Sequence, residues 1–141
     1  MDPLPEKAMF QELEYRSIFL HSAAPLATLT PEGRFLRVNP ALARLVGYSQ
    51  DELAAITLMD LTPHAERPGA TRELAASQAE AGLPGELELS LKPRRGEAFR
   101  CRVAVSWVKS ASARVLHGVA SLTRLAPEQR LAERDLELAH A

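Results

Sequence analysis

The chain has a single cysteine, a single tryptophan and no block of like charge. Cys101, standing alone, excludes an intrachain disulfide and any zinc site built from several cysteines, and it fits a reducing compartment. With 17 basic and 18 acidic side chains and a formal net charge of −1, the sequence lacks the electrostatic footprint that nucleic acid or an anionic membrane surface selects. No apolar run approaches the roughly 18 residues of a membrane span. The opening "MDPLPEKAMF" has neither the cationic start nor the apolar centre of a secretory signal. Internal repeats and low-complexity linkers are also missing. These absences lead to the expectation of a cytoplasmic chain, or of a cytoplasmic part of a longer one, with no nucleic-acid or membrane partner.

What remains is ordinary material for one globular domain: 141 residues, 46% of them hydrophobic and 25% charged. "PEKAMFQELEYRSIFLHS" places Met9, Phe10, Leu13 and Leu20 near helical spacing and predicts one or two helices. "PLATLTPEGRFLRVN" reads as a hairpin, with strands over 26–30 and 34–38 and Gly33 taking the positive φ of the turn. Asn39 followed by Pro40 is a helix start, and Leu42, Leu45 and Val46 then share one apolar face. Gly47 ends that helix, and "SQDE" at 49–52 is a capping box opening the next.

Beyond a short turn at "TLMDLTP", the stretch "RPGATRELAASQAEAG" predicts a helix with Leu74 on its inner side and Gly82 at its end. Three strands follow. In "ELELSL", Leu87, Leu89 and Leu91 alternate with Glu86, Glu88 and Ser90. In "FRCRVAVSWV", Phe99, Cys101, Val103, Val105 and Trp107 share one face, and "RVLHGVASLTRL" is the last strand. A charged helical tail opens at Pro127, where Leu131 and Leu138 permit a brief coiled-coil seam. The order predicts an α+β fold in which a five-stranded antiparallel sheet carries short helices on one face, with helices flanking it at both ends.

At "GRFLRVNPALARLVGYSQDEL" the chain resembles the central signature of the PAS sensory family: a hairpin, an Asn-Pro-Ala helix, then a Gly-Tyr-Ser break before an acidic-Leu turn. The resemblance implies a flanking helix at 1–14, a PAS-like sensory domain at 15–125 and a signalling or linker helix at 126–141. Two departures stand out. "PHAER" exchanges the Pro and His of the family's usual order, and Arg124, Leu125 and Ala126 replace the usual closing Asp-Ile-Thr.

Such domains cup a small space between sheet and helices. The resemblance makes Leu45, Leu74, Cys101 and Val103 candidate lining residues, with Trp107 and His117 as further candidates for cofactor contact. Members sense through haem, flavin or small metabolites, or bind nothing, and the sequence does not specify which. Since haem-binding relatives use a histidine on the long helix, His64 and His117 are the histidines to weigh, and His117 shares a strand face with Val115 and Val119 that is a candidate inward face. For each of these residues the plainer reading is a structural one. Arg100 and Arg102 point away from Cys101 across the strand and leave it unactivated, so it reads as core, and Asn39 reads as a cap.

No paired acid and base, nucleophile elbow, phosphate loop or metal cluster supports catalysis. The expectation is a sensory module that forms a homodimer through its first helix. It passes a change induced by a small-molecule ligand or a partner to an output domain, such as a histidine kinase or a diguanylate cyclase. The alternative is a cofactor or metabolite binder in which dimerisation is incidental.

Overall fold

The computed structural model describes residues 4–79 and 85–126, with side chains from residue 9 onward. The expected helix end at Gly82 and the tail from Pro127, including Leu131 and Leu138, lie outside the described residues.

Helix α1 spans Leu4–His21 as one piece, running unbroken across position 14. Strands β1 (Leu26–Leu29) and β2 (Phe35–Val38) form the expected hairpin, closed by Gly33 at φ +89°. That conformation belongs to glycine, and a Cβ there would also come within 3.1 Å of Leu74 Cδ2.

Helix α2 (Pro40–Val46) begins at Asn39, and its last turn closes on Gly47 in the left-handed region. Helix α3 (Gln50–Ala54) carries the reciprocal Ser49–Glu52 cap. The "TLMDLTP" turn has its own order. Thr57 and Asp60 make a second capping box around a 3₁₀ turn at Leu58–Leu61, and a further 3₁₀ turn at His64–Glu66 leads into α4 (Arg67–Ser77). Strands β3 (Gly85–Leu91), β4 (Phe99–Lys109) and β5 (Val115–Arg124) complete the chain's described part.

The five strands lie in the order β2-β1-β5-β4-β3, every neighbouring pair antiparallel. Strict alternation decides which side is dry. Leu87, Leu89 and Leu91 of β3, Cys101, Val103 and Val105 of β4, and Ala120 and Leu122 of β5 are all buried. They form one apolar cluster with Leu42, Val46, Leu53, Leu58 and Leu74 from the helical side.

Helix α4 lies hard against the start of β3: a Cβ on Gly85 would sit 2.6 Å from Ser77 Cβ, so glycine is what permits the approach. Trp107 closes the same end, donating its indole N–H to Ser77 Oγ at 3.0 Å while lying over Gly118. This is the α+β architecture expected from the sequence.

Candidate functional site

The junction of α1 with the domain is built on Asn39, which is 0% exposed and uses its whole amide. Its Oδ1 accepts from Leu42 N–H (3.0 Å), capping α2, and from Leu26 N–H (2.9 Å) at the start of β1. Its Nδ2 donates to Phe19 O (3.0 Å), in the last turn of α1, and to Ala24 O (2.9 Å). A primary amide offers two donors and two good acceptor directions, and all are filled here. The cap inferred from the sequence is therefore one quarter of what this side chain does: it joins α1, β1 and α2 at one buried point.

The candidate lining residues fall into separate surroundings. Leu74, Cys101 and Val103 are in the packed core between sheet and helices, at 3%, 0% and 0% exposure. Leu45 is half-buried at the C-terminal end of α2, and Trp107 is half-buried at the far end of β4. His117 pairs with Val108 in the sheet register. Because Gly118, Ala120 and Leu122 are the buried positions of β5, His117 and Val119 occupy the opposite face, whereas an irregularity in the β4–β5 register sets Val115 opposite Lys109. The inward orientation considered for His117 is corrected by this parity: Val119 on its own strand and Val108 paired with it mark the outer face of the sheet. His64 is exposed in its 3₁₀ turn.

Burial pushes the Cys101 thiol up to about 12, outweighing the opposing influence of a backbone hydrogen bond at Thr123. Among the described residues no group of three or more His, Cys, Asp and Glu could hold a metal ion.

A wide concavity lies on the other side of the sheet. A groove of about 960 Å³ runs between α1 and the outer face, walled by Tyr15, Ile18 and Phe19 of α1 and floored by Leu26, Leu36 and Val119. It is open and mainly apolar, with Gln50, Asp51 and Ala54 of α3 along one rim. Around it the chain leaves large apolar side chains in water: Phe10 (74%), Tyr15 (74%), Met9 (60%), Ile18 (58%) and Leu13 (52%) on α1, Leu36 (51%), Val119 (42%) and Val108 (41%) on the sheet. Contiguous apolar surface of this kind is where domains commonly meet a partner, a ligand or a membrane. Sequence reasoning did not find the groove. The signal was Val119 with Leu36, apolar residues at the outward parity of strands whose inward parity is already apolar.

No described helix is long and apolar enough to cross a membrane. The sensor histidine kinase TmoS of Ectopseudomonas mendocina is 30% identical over 95 residues, which is 67% of this chain and 10% of that protein. The probable diguanylate cyclase DgcE of Escherichia coli K12 is 29% identical over 116 residues, covering 79% of this chain and 10% of that one. The chain thus spans about a tenth of the length of these curated relatives. Among solved structures, a domain of a sensory box sensor histidine kinase/response regulator from Geobacter sulfurreducens superposes with a TM-score of 0.67 at 23% identity. The match covers 82% of this chain and 95% of that one, and shows a common fold. The PAS fold family model matches residues 13–123, through the hairpin, the Asn39-capped helix and all three closing strands, and the chain belongs to that family.

Proposed function

We propose that this chain is the sensing and dimerisation module of a bacterial signal-transduction protein. It would relay a ligand- or partner-induced change through the residues after 126 to an output domain such as a histidine kinase or a diguanylate cyclase. The family and the signalling character of the relatives support the module. The observation that carries the dimer is the apolar groove with its exposed rim: in a second copy, the matching surface of α1 offers apolar side chains of the right size to cover it.

Asn39 supports the relay. A shift of α1 on dimerisation or ligand binding acts on Phe19 O, and from there on the start of β1 and the cap of α2 within one side chain. β5 lies next to β1 and leads directly to residue 126, so the same displacement reaches the exit of the domain. Core residues Leu74 of α4 and Cys101 and Val103 of β4 hold the inner side rigid while the outer face changes partner. In this reading the module carries no catalytic step, works in the cytoplasm, and spans 15–125, with α1 leading into it unbroken.

Sedimentation equilibrium tests the assignment. The full chain is expected to be a dimer at about 50 μM, a concentration at which a micromolar interface is mostly filled. Ile18→Asp and Val119→Lys, which charge the wall and floor of the groove, are each expected to give monomers with the circular-dichroism spectrum of the parent. A monomeric parent, or variants that remain dimeric, would overturn the role given to the groove.

A further inference from the structure

Where α2 ends against the turn between β3 and β4 lies a second cleft of about 430 Å³. Its walls are Arg44, Arg94 and Arg95 and its floor is Leu45, Gly47 and Pro93. Nothing in the sensing reading uses it. From its geometry we propose that the cleft binds a small doubly charged oxyanion, of the type presented by a phosphate monoester.

The frame is rigid and built from several independent contacts. Arg94 N–H donates to Val46 O at 2.8 Å, bonding the β3–β4 turn to the end of α2. The Arg94 guanidinium meets both oxygens of Glu52 at 2.8 Å and lies 5.7 Å from the centre of the Tyr48 ring. Gly47 has φ +77°, and a Cβ there would press on Arg94 Cβ at 3.3 Å, so the backbone of the floor lies bare beneath the turn.

Charge then decides what fits. Glu52 is committed to Arg94, and its carboxyl is held below its usual range, first by hydrogen bonding at the Ser49 backbone and also by Arg94. Arg44 and Arg95 are exposed and have no hydrogen-bond or ion-pair partner among the described residues. Asp51 faces the other groove, and Glu97, past Gly96 on the turn, does not line this cleft. Three guanidinium groups therefore face one carboxylate, and the two unengaged forks match the planar, bidentate geometry of an oxyanion. The carbonyls that end α2 oppose an anion, but Val46 O and Ala43 O are already engaged by Arg94 N–H and Gly47 N–H. Beside the charged wall, Leu45 and Pro93 provide an apolar surface for the remainder of a small ester.

The test is an amide NMR titration of the full chain with inorganic phosphate and with phenyl phosphate, at constant ionic strength set by sodium chloride. Saturable shifts centred on residues 44–47 and 94–96 are expected, with phenyl phosphate binding more tightly than phosphate through the apolar floor. Arg44→Gln and Arg95→Gln, both on exposed side chains, are each expected to weaken binding about tenfold, as loss of a charge-assisted contact does, with unchanged melting temperature. Shifts that fail to saturate by about 10 mM, a strength no better than diffuse screening gives, would overturn the site. It would also fall if chloride reproduced the shifts or if both variants bound like the parent. In those cases the arginines only complement the carbonyl end of α2. Because neither variant touches the α1 groove, a failure here leaves the dimer reading standing, and the reverse holds too.

Discussion

Replacing Asn39 by alanine removes four hydrogen bonds from a side chain with no solvent exposure. Their losses are unequal. Phe19 O and Ala24 O lie near the surface of the α1–β1 junction and water replaces the amide there at little cost. Leu42 N–H is buried, and an unsatisfied buried donor costs on the order of 1–3 kcal/mol. Leu26 N–H is partly buried and adds a smaller amount, and the void left by the carboxamide adds about 1 kcal/mol more. The sum is about 2–5 kcal/mol, well above the ~1 kcal/mol of an ordinary cap deletion. For a domain of this size that corresponds to a fall in melting temperature of roughly 10–20 °C.

Urea denaturation followed by Trp107 fluorescence and by far-ultraviolet circular dichroism measures the loss directly, with unchanged slope expected. Asn39→Asp separates donor from acceptor. It keeps the two accepting contacts but turns a carboxylate toward Phe19 O and Ala24 O. The folded state then favours the protonated acid, which still donates, and raises its pKa above the unfolded ~3.9. The variant is therefore closest to the parent below that value, and it loses ground as pH rises through the higher folded value. A cost near 1 kcal/mol for Asn39→Ala, the size of a cap alone, or an Asn39→Asp penalty that does not vary with pH, would refute the account of this residue as a three-way junction.

Other outcomes follow from the same structure. Cys101 is buried with its thiol pushed up to about 12, so it is expected to resist a thiol reagent at pH 8 until the protein is denatured; rapid labelling of the folded chain would contradict this. Because that folded pKa lies above the unfolded value, the thiol's contribution to stability is complete below about 8.5 and declines as pH rises from there toward the folded value. Gly118→Ala would put a methyl 2.7 Å from the Trp107 ring and is expected to cost about 2 kcal/mol of overpacking, read as a lower urea midpoint with a shifted emission maximum. Glu52→Gln is expected to remove the stabilisation that the lowered Glu52 carboxyl provides above about pH 4.3 and loses on acidification. Its stability–pH curve between pH 3 and 6 should therefore be flatter than the parent's.

Local chemistry made most of the fold legible. Gly33, Asn39, Gly47 and the Ser49–Glu52 pair each dictate a turn or a helix end through their own side chain or lack of one, and each takes that role in the structure. Strand parity was equally clear in "ELELSL", where the charged residues alternate with leucines. It was ambiguous in β5, because Val115 and Val119 stand on the parity of His117 while Leu116, Ala120 and Leu122 stand on the other. Only the partner strands, through Ala120 opposite Val105 and Trp107 opposite Gly118, identify the dry face.

The α1 groove was illegible for a related reason. It is formed by residues distant in sequence, Tyr15 from one element, Leu36 from another and Val119 from a third, and no spacing rule connects them. The arginine cleft likewise joins Arg44 to the Arg94–Arg95 pair across about a third of the chain, and from sequence alone that pair reads as a solvated turn.

The position of β5 between β1 and β4 governs how the molecule assembles. The β1–β2 and β3–β4 hairpins are each local, yet no strand pairing joins them until the last strand enters. On a ribosome, the first hairpin must wait for nearly a hundred residues, from Leu26 to Val119 and its neighbours, before its open edge is covered. A chain cut after β4 would hold two half-sheets, each with an unpaired edge, and would be prone to aggregate. Supplied separately, a peptide with the sequence of β5 should complete such a fragment, which makes this strand a natural place to divide the domain into two parts whose reunion can be switched on by addition.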